Sequence, residues 1–304
     1  MTSDASMDPV RDAPPWRGID LPGLGPIEVR DSGPATGVHD QPTVMLLHGW
    51  TTSADLNWCR AYGPLAGWRG GRTRLVTWDH RGHGARGLRT GTTTDLNNLA
   101  DDAAAIARAL GIERAVAVGY SMGGAVAQVL WRRHHDLVAG LVLGATAARF
   151  AVDDRQRQDF DMIGRGVGTS RLLETMGCGG PAWRFARWLG DRRAGGSISS
   201  GDAAFDKWAW QETRAGVLSR VLAAGRDLGR FDSTGWLDGI DVPHAVLVCE
   251  KDETVPTVRQ RELVAALPHP TVHRMAADHA ACVTRPELFV PALTAALEAV
   301  LPSE

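Results

Sequence analysis

The sequence predicts an α/β fold: a mostly parallel central sheet flanked by helices, with a helical cap inserted in it. Three observations carry this prediction. Short, unbroken apolar runs recur along the chain. Helical patterns sit between them, and one long stretch, residues 149–235, breaks the alternation without offering a buried strand. Strand, helix, strand, helix in that order implies parallel strands wrapped by helices.

Residues 1–16 are polar, acidic and proline-bearing, and read as a flexible tail. Residues 18–21 and 27–30 are read as a first pair of strands around the turn Pro22-Gly23-Leu24-Gly25. Residues 32–42 are rich in Gly, Pro and Asp and read as a loop. The apolar runs follow at 43–47, 74–78, 115–118, 138–143 and 244–249. Such runs suit strands buried on both faces of a parallel sheet. Residues 271–275 are a further strand-like run.

Between the runs, residues 94–110 place Leu96, Leu99, Ala103, Ile106 and Leu110 at helical spacing, and Gly111 ends the segment. Residues 122–134 follow one strand directly as a helix, and 258–267 and 286–301 are helical near the end. The core domain is thus expected in two pieces, 17–148 and 236–304, around the cap at 149–235.

Composition narrows the function. The chain has 304 residues, enough for one large domain with an insertion. With 44% hydrophobic and 22% charged residues it can bury an ordinary core, so nothing in it calls for a disordered or fibrous protein. A net charge of -2 offers no basic excess for nucleic acid or an anionic membrane. The apolar run of residues 137–148 is shorter than the roughly 20 residues that span a bilayer. The four cysteines show no CxxC spacing, and the first residues do not read as a secretory signal. A cytoplasmic protein without integral membrane association is expected.

The chemistry centres on Gly119-Tyr120-Ser121-Met122-Gly123, a GxSxG motif. It follows the run at 115–118 and opens the helix at 122–134. A sharp strand-to-helix turn strains the backbone of its central residue, and flanking glycines avoid the collisions that side chains would make there. The serine is then presented at the carboxyl edge of the sheet, where open α/β sheets bind ligands. A serine hydroxyl needs a base to take its proton. His279 is the candidate, in a loop between the run at 271–275 and the last helix. Asp252, just past the run at 244–249, is the candidate to orient it.

These residues resemble the α/β-hydrolase family over roughly residues 26–147 and 237–300. The resemblance includes Leu47-His48-Gly49-Trp50, Asp79-His80-Arg81-Gly82-His83-Gly84, Gly119 to Gly124, Asp252 within Glu250 to Pro256, and His279 within Ala277 to Ala280. It implies a serine hydrolase of the esterase branch. Ser121 would be the nucleophile, His279 the general base and Asp252 the acid of the triad, in that family's chain order. It also implies an oxyanion hole from the backbone N–H groups of Trp50 and Met122. Trp50 and Tyr120 are expected to contact substrate. No metal or organic cofactor is called for.

Several of these residues also fit plain structural places. His48 fits a structural place in the oxyanion loop, and His80 and His83 fit bracing of their own turn. Cys282 fits a small buried apolar residue. The aromatic residues of 149–235, among them Trp183, Trp188, Trp208 and Trp210, either line an acyl pocket or dock the cap helices. An exposed Trp-rich cap would also offer a face for a homodimer. The expected reaction is hydrolysis of a carboxylic ester, or a related acyl bond, of a small to medium, partly apolar substrate. Acyl transfer, perhydrolysis, carbon–carbon hydrolysis by the same triad, and slow-turnover binding of a small molecule remain as alternatives.

Overall fold

Five of the apolar runs become the adjacent central strands of one eight-stranded sheet. The computed structural model describes residues 8–33, 43–90, 94–176 and 201–301. The strands are β1 (Trp16–Leu21), β2 (Gly25–Asp31), β3 (Thr43–Leu47), β4 (Arg74–Thr77), β5 (Ala115–Tyr120), β6 (Val138–Gly144), β7 (His244–Cys249) and β8 (Thr271–Met275). Their order across the sheet is β1-β2-β4-β3-β5-β6-β7-β8. The β1–β2 and β2–β4 pairs are antiparallel, and every other pair is parallel.

Alternation along the central strands sorts the core into two layers. Met45, Leu47, Ala115, Ala117, Leu141, Leu143, Val246 and Val248 face one layer. That layer is closed by helices α3 (Leu96–Ala109) and α4 (Met122–Arg133). Val44, Leu46, Val116, Val118, Val142, Ala245 and Leu247 face the other. There the short helices α1 (Ala54–Trp58) and α2 (Tyr62–Gly67) pack, with Phe289, Leu293 and Leu297 of the last long helix. Because both faces are covered, the strands are apolar throughout, which is why they read as runs.

Helix α3 begins where the Asp95 side chain accepts from the Asn98 N–H at 2.8 Å. It ends before Gly111, whose φ of +65° is left-handed. Helices α1 and α2, of 5 and 6 residues, went unseen in the sequence because one turn is too short to show a period.

Between β6 and β7 lie helices α5 (Asp154–Thr175), α6 (Ala203–Arg214) and α7 (Leu218–Leu228). The ends of this insertion are pinned together. Arg149 bridges Asp232 antiparallel, and the Ser233 N–H donates to the Ala148 carbonyl at 2.9 Å. Trp183, Phe185 and Trp188 lie outside the described residues. Three helices close the chain: α8 (Thr257–Ala266), α9 (Ala281–Thr284) and α10 (Pro286–Val300). Among the described residues no helix is long and apolar enough to cross a membrane.

Parallel pairing puts the carboxyl ends of β3, β5, β7 and β8 along one edge. Leu47 stands beside Gly119, Gly144 beside Leu247, and Cys249 beside Met275. The segments carrying Gly49, Ser121, Asp252 and His279 all leave from that edge.

Candidate active site

Ser121 sits between β5 and α4 with φ +55° and ψ −119°, a region that side chains avoid. The turn is held there by close backbone approach. A Cβ on Gly123 would lie 2.0 Å from the Leu47 carbonyl oxygen, and one on Gly119 would lie 2.2 Å from the Gly123 carbonyl oxygen. Only glycine fits at either place. The Ser121 N–H donates to the Gly144 carbonyl at 2.8 Å, which ties the turn to the next strand. Ser121 is 7% exposed.

The other two residues singled out from the sequence meet it. His279 Nε2 lies 3.0 Å from Ser121 Oγ, and His279 Nδ1 lies 2.7 Å from Asp252 Oδ2. Asp252 Oδ1 accepts from the Thr254 N–H at 2.9 Å and the Val255 N–H at 2.8 Å. A carboxylate that accepts at Nδ1 leaves Nε2 free to accept from the serine hydroxyl. Such a row can deprotonate the hydroxyl as it attacks.

The loop after β3 presses against the serine. A Cβ on Gly49 would lie 3.4 Å from Ser121 Cβ. The loop is set by buried polar groups. The His80 N–H donates to His48 Nε2 at 2.8 Å, so the His48 proton is on Nδ1, which donates to the Gly49 carbonyl at 2.7 Å. Asn57 Oδ1 accepts from the Gly49 N–H at 3.0 Å. Burial pushes His48 well below the usual histidine range, His80 down to about 3 and His83 to about 4. Among the described residues the backbone N–H groups of Trp50 and Met122 have no protein acceptor. They are therefore free to donate to a ligand oxygen.

The side chains of Trp50 and Tyr120 are placed differently from each other. The Trp50 indole N–H donates to the Val221 carbonyl of α7 at 2.7 Å, and the indole covers Gly225. With Leu218, Val221 and Leu222 it forms a small apolar cluster. Tyr120 is packed in the core against Phe289, and its hydroxyl donates to the His279 carbonyl at 2.9 Å. It anchors the histidine loop instead of facing a cavity. Cys282 is buried in the same layer.

Several described aromatic residues in and next to the insertion are engaged in packing. Trp208 lies against Phe205, Phe231 against Phe150, and Trp236 stacks on Trp131 with centroids 6.1 Å apart. Three polar contacts gave no sequence signal. Gln260 touches Asp252 at 2.8 Å, Glu212 of α6 accepts from Ser53 Oγ at 2.6 Å, and Tyr120 holds the His279 carbonyl. Glu212 and Tyr120 each lie 159 residues from their partners and Gln260 lies 8 from Asp252, and no spacing in the sequence links any of them to its partner.

A model of the Alpha/beta hydrolase family matches residues 44–292. The chain belongs to that family. Among its α/β-hydrolase relatives is a non-heme haloperoxidase of Rhodococcus erythropolis, 29% identical over 232 residues, 74% of this chain and 80% of that protein. A bifunctional esterase/perhydrolase of Acinetobacter calcoaceticus is 29% identical over 227 residues, 72% of this chain and 78% of that protein. A thermophilic esterase from Thermogutta terrifontis shares the α/β-hydrolase fold, with a TM-score of 0.70 and 22% identity over 94% of this chain and 99% of that one.

Proposed function

We propose that this α/β hydrolase cleaves a carboxylic ester, or a related acyl bond, through an acyl-enzyme on Ser121. The observation that carries the reading is the unbroken row Ser121 Oγ, His279 and Asp252, with links of 3.0 and 2.7 Å. Ser121 Oγ attacks the carbonyl carbon while His279 Nε2 takes its proton. The oxyanion so formed accepts from the N–H groups of Trp50 and Met122. Loss of one such donor would cost about 3 kcal/mol in the transition state. His279 then passes its proton to the departing alkoxide. Water, deprotonated by the same nitrogen, releases the acid and restores the serine.

The segment 149–235 serves as a cap over this edge. Its support is the contact of α7 with Trp50 and of Glu212 with Ser53, both next to the oxyanion loop. The cluster of Trp50, Leu218, Val221 and Leu222 suits a small to medium, partly apolar substrate. Tyr120 serves as a positioning residue, because its hydroxyl is spent on His279. The buried, unpaired thiols of Cys59, Cys249 and Cys282 fit a reducing, cytoplasmic setting. The esterase/perhydrolase relative gives a second reading, in which hydrogen peroxide replaces water as the acceptor from the acyl-enzyme.

The test is labelling by a fluorophosphonate with turnover of p-nitrophenyl esters of graded chain length, in the wild type and in Ser121→Ala. Labelling and turnover in the wild type that vanish in the variant are expected. A folded wild type with neither would overturn the proposal. Added hydrogen peroxide, with peracid measured, separates the two acceptors.

A further inference from the structure

Gln260 on α8 is entirely buried, yet every polar atom of its side chain is used. Its Oε1 accepts from the Cys249 N–H at 2.9 Å, the last residue of β7. Its Nε2 donates to Asp252 Oδ2 at 2.8 Å and to the Val255 carbonyl at 2.8 Å. These partners settle the orientation of the amide, because an N–H faces the oxygen and two acceptors face the nitrogen. One acceptor and two donors in a planar group is what glutamine offers; glutamate lacks the donors, and leucine lacks all three.

The consequence concerns Asp252. Its carboxylate has no lysine or arginine partner among the described residues. It instead accepts from four N–H groups: Thr254 and Val255 on Oδ1, Gln260 and His279 on Oδ2. Gln260 and His279 therefore compete for one oxygen. The amide sets both where that oxygen stands and how much of its charge is left for the imidazole.

We infer that Gln260 is a positioning residue for the reaction proposed above, holding Asp252 Oδ2 on His279 Nδ1 and moderating the base strength of His279 through that oxygen. The inference rests on the proposed triad for its link to turnover, but the geometry can be read without turnover.

Removing the Gln260 donor leaves more negative charge on Oδ2. That charge favours the protonated imidazole, so the acid limb of kcat/KM moves to higher pH. Other groups around His279 do not obscure this. Burial pushes the Cys249 thiol up to about 12, and it raises the Cys282 thiol and the Tyr120 hydroxyl as well, so all three stay neutral in the working range. Asp278 is exposed to water, where its field is screened.

The experiment compares the wild type, Gln260→Leu and Gln260→Glu. It follows the pH profile of ester hydrolysis and, separately, the proton resonance of the His279 Nδ1–H. In Gln260→Leu, kcat/KM is expected to fall about tenfold to a hundredfold through kcat, with the acid limb moved to higher pH. Gln260→Glu, which keeps the shape, is expected to work best in acid, where its carboxyl still carries a proton to donate. It should lose activity as two carboxylates come to face each other. In both variants the Nδ1–H resonance should move. A profile of Gln260→Glu that superimposes on the wild type, with an unmoved resonance, would overturn the inference even if Gln260→Leu failed to fold. Failure of the acyl-enzyme reading would show itself differently, as an unlabelled wild type, and would leave the resonance to decide on Gln260.

Discussion

A methyl group at residue 123 would meet main chain, not a side chain that could turn away. Its carbon would stand 2.0 Å from the Leu47 carbonyl oxygen and 2.7 Å from that of His48. Gly123→Ala is therefore expected to cost about 3 kcal/mol or more, because strand and helix would have to separate. Urea unfolding of the purified variant checks this, and a loss below 1 kcal/mol would contradict the contact. The same closeness has a use. It brings the Met122 N–H and the loop at Gly49 and Trp50 to the same side of Ser121, where both amides are free. Tyr120 shows the opposite relation between position and role. It stands next to Ser121 in sequence, yet its side chain serves the histidine loop from within the core.

Among the elements, α7 joins α6 in coupling the insertion to the candidate site. It is fastened at several points. The Val217 N–H donates to the Gly82 carbonyl at 2.8 Å, and Arg220 donates to the carbonyls of Leu88, Arg89 and Thr90. Glu174, near the end of α5, accepts from the Ser219 N–H at 2.8 Å and its hydroxyl at 2.6 Å, and so caps the first turn. Trp50 lies on Gly225, where a Cβ would reach within 2.3 Å of the indole. Gly225→Ala should push the indole or the helix aside at a cost of about 1–3 kcal/mol. Because the indole adjoins the loop after β3, which carries the proposed oxyanion donor, the variant is also expected to raise KM for p-nitrophenyl esters. An unchanged KM with full stability would show that α7 does not shape the site.

At the scale of the whole molecule, buried histidines decide the response to acid. His48, His80 and His83 lie ring against ring, with the His48 centroid 4.3 Å from His80 and 5.4 Å from His83. Their unfolded value is 6.5, while burial holds His80 at about 3 and His83 at about 4. The unfolded chain therefore binds these protons first. Stability from these groups is full above pH 6.5 and falls as the pH drops through the interval down to the folded values. Asp79 has the opposite sign. Burial raises it from 3.8 to about 6, so the folded chain takes that proton first and gains stability as the pH falls across that range. Three histidines outweigh one aspartate. At about pH 5 unfolding is expected to take up about two protons from these four groups. Urea midpoints measured from pH 7 to 4.5 should fall steeply, and less so in His83→Gln. A flat dependence would mean that these rings are not held neutral.

The sheet, the flanking helices and the residues of the candidate site were legible because each has a local cause. A strand covered on both faces must be apolar throughout, as at 115–118, and a sharp strand-to-helix turn needs glycine where backbones touch, as at Gly119 and Gly123. Chain order then placed Asp252 and His279 in loops at the same edge, and the structure brings all three within hydrogen-bond reach. What only the tertiary structure decided is which polar side chains meet to support the candidate site. Gln260, Glu212 and the Tyr120 hydroxyl look like ordinary helix or strand residues until their partners arrive. The direction of the Trp50 side chain was likewise decided by α7, which is 171 residues away along the chain at the Val221 contact. Burial patterns repeat along a chain and can be read from it, whereas a single hydrogen bond across the fold leaves no period and no spacing in the sequence.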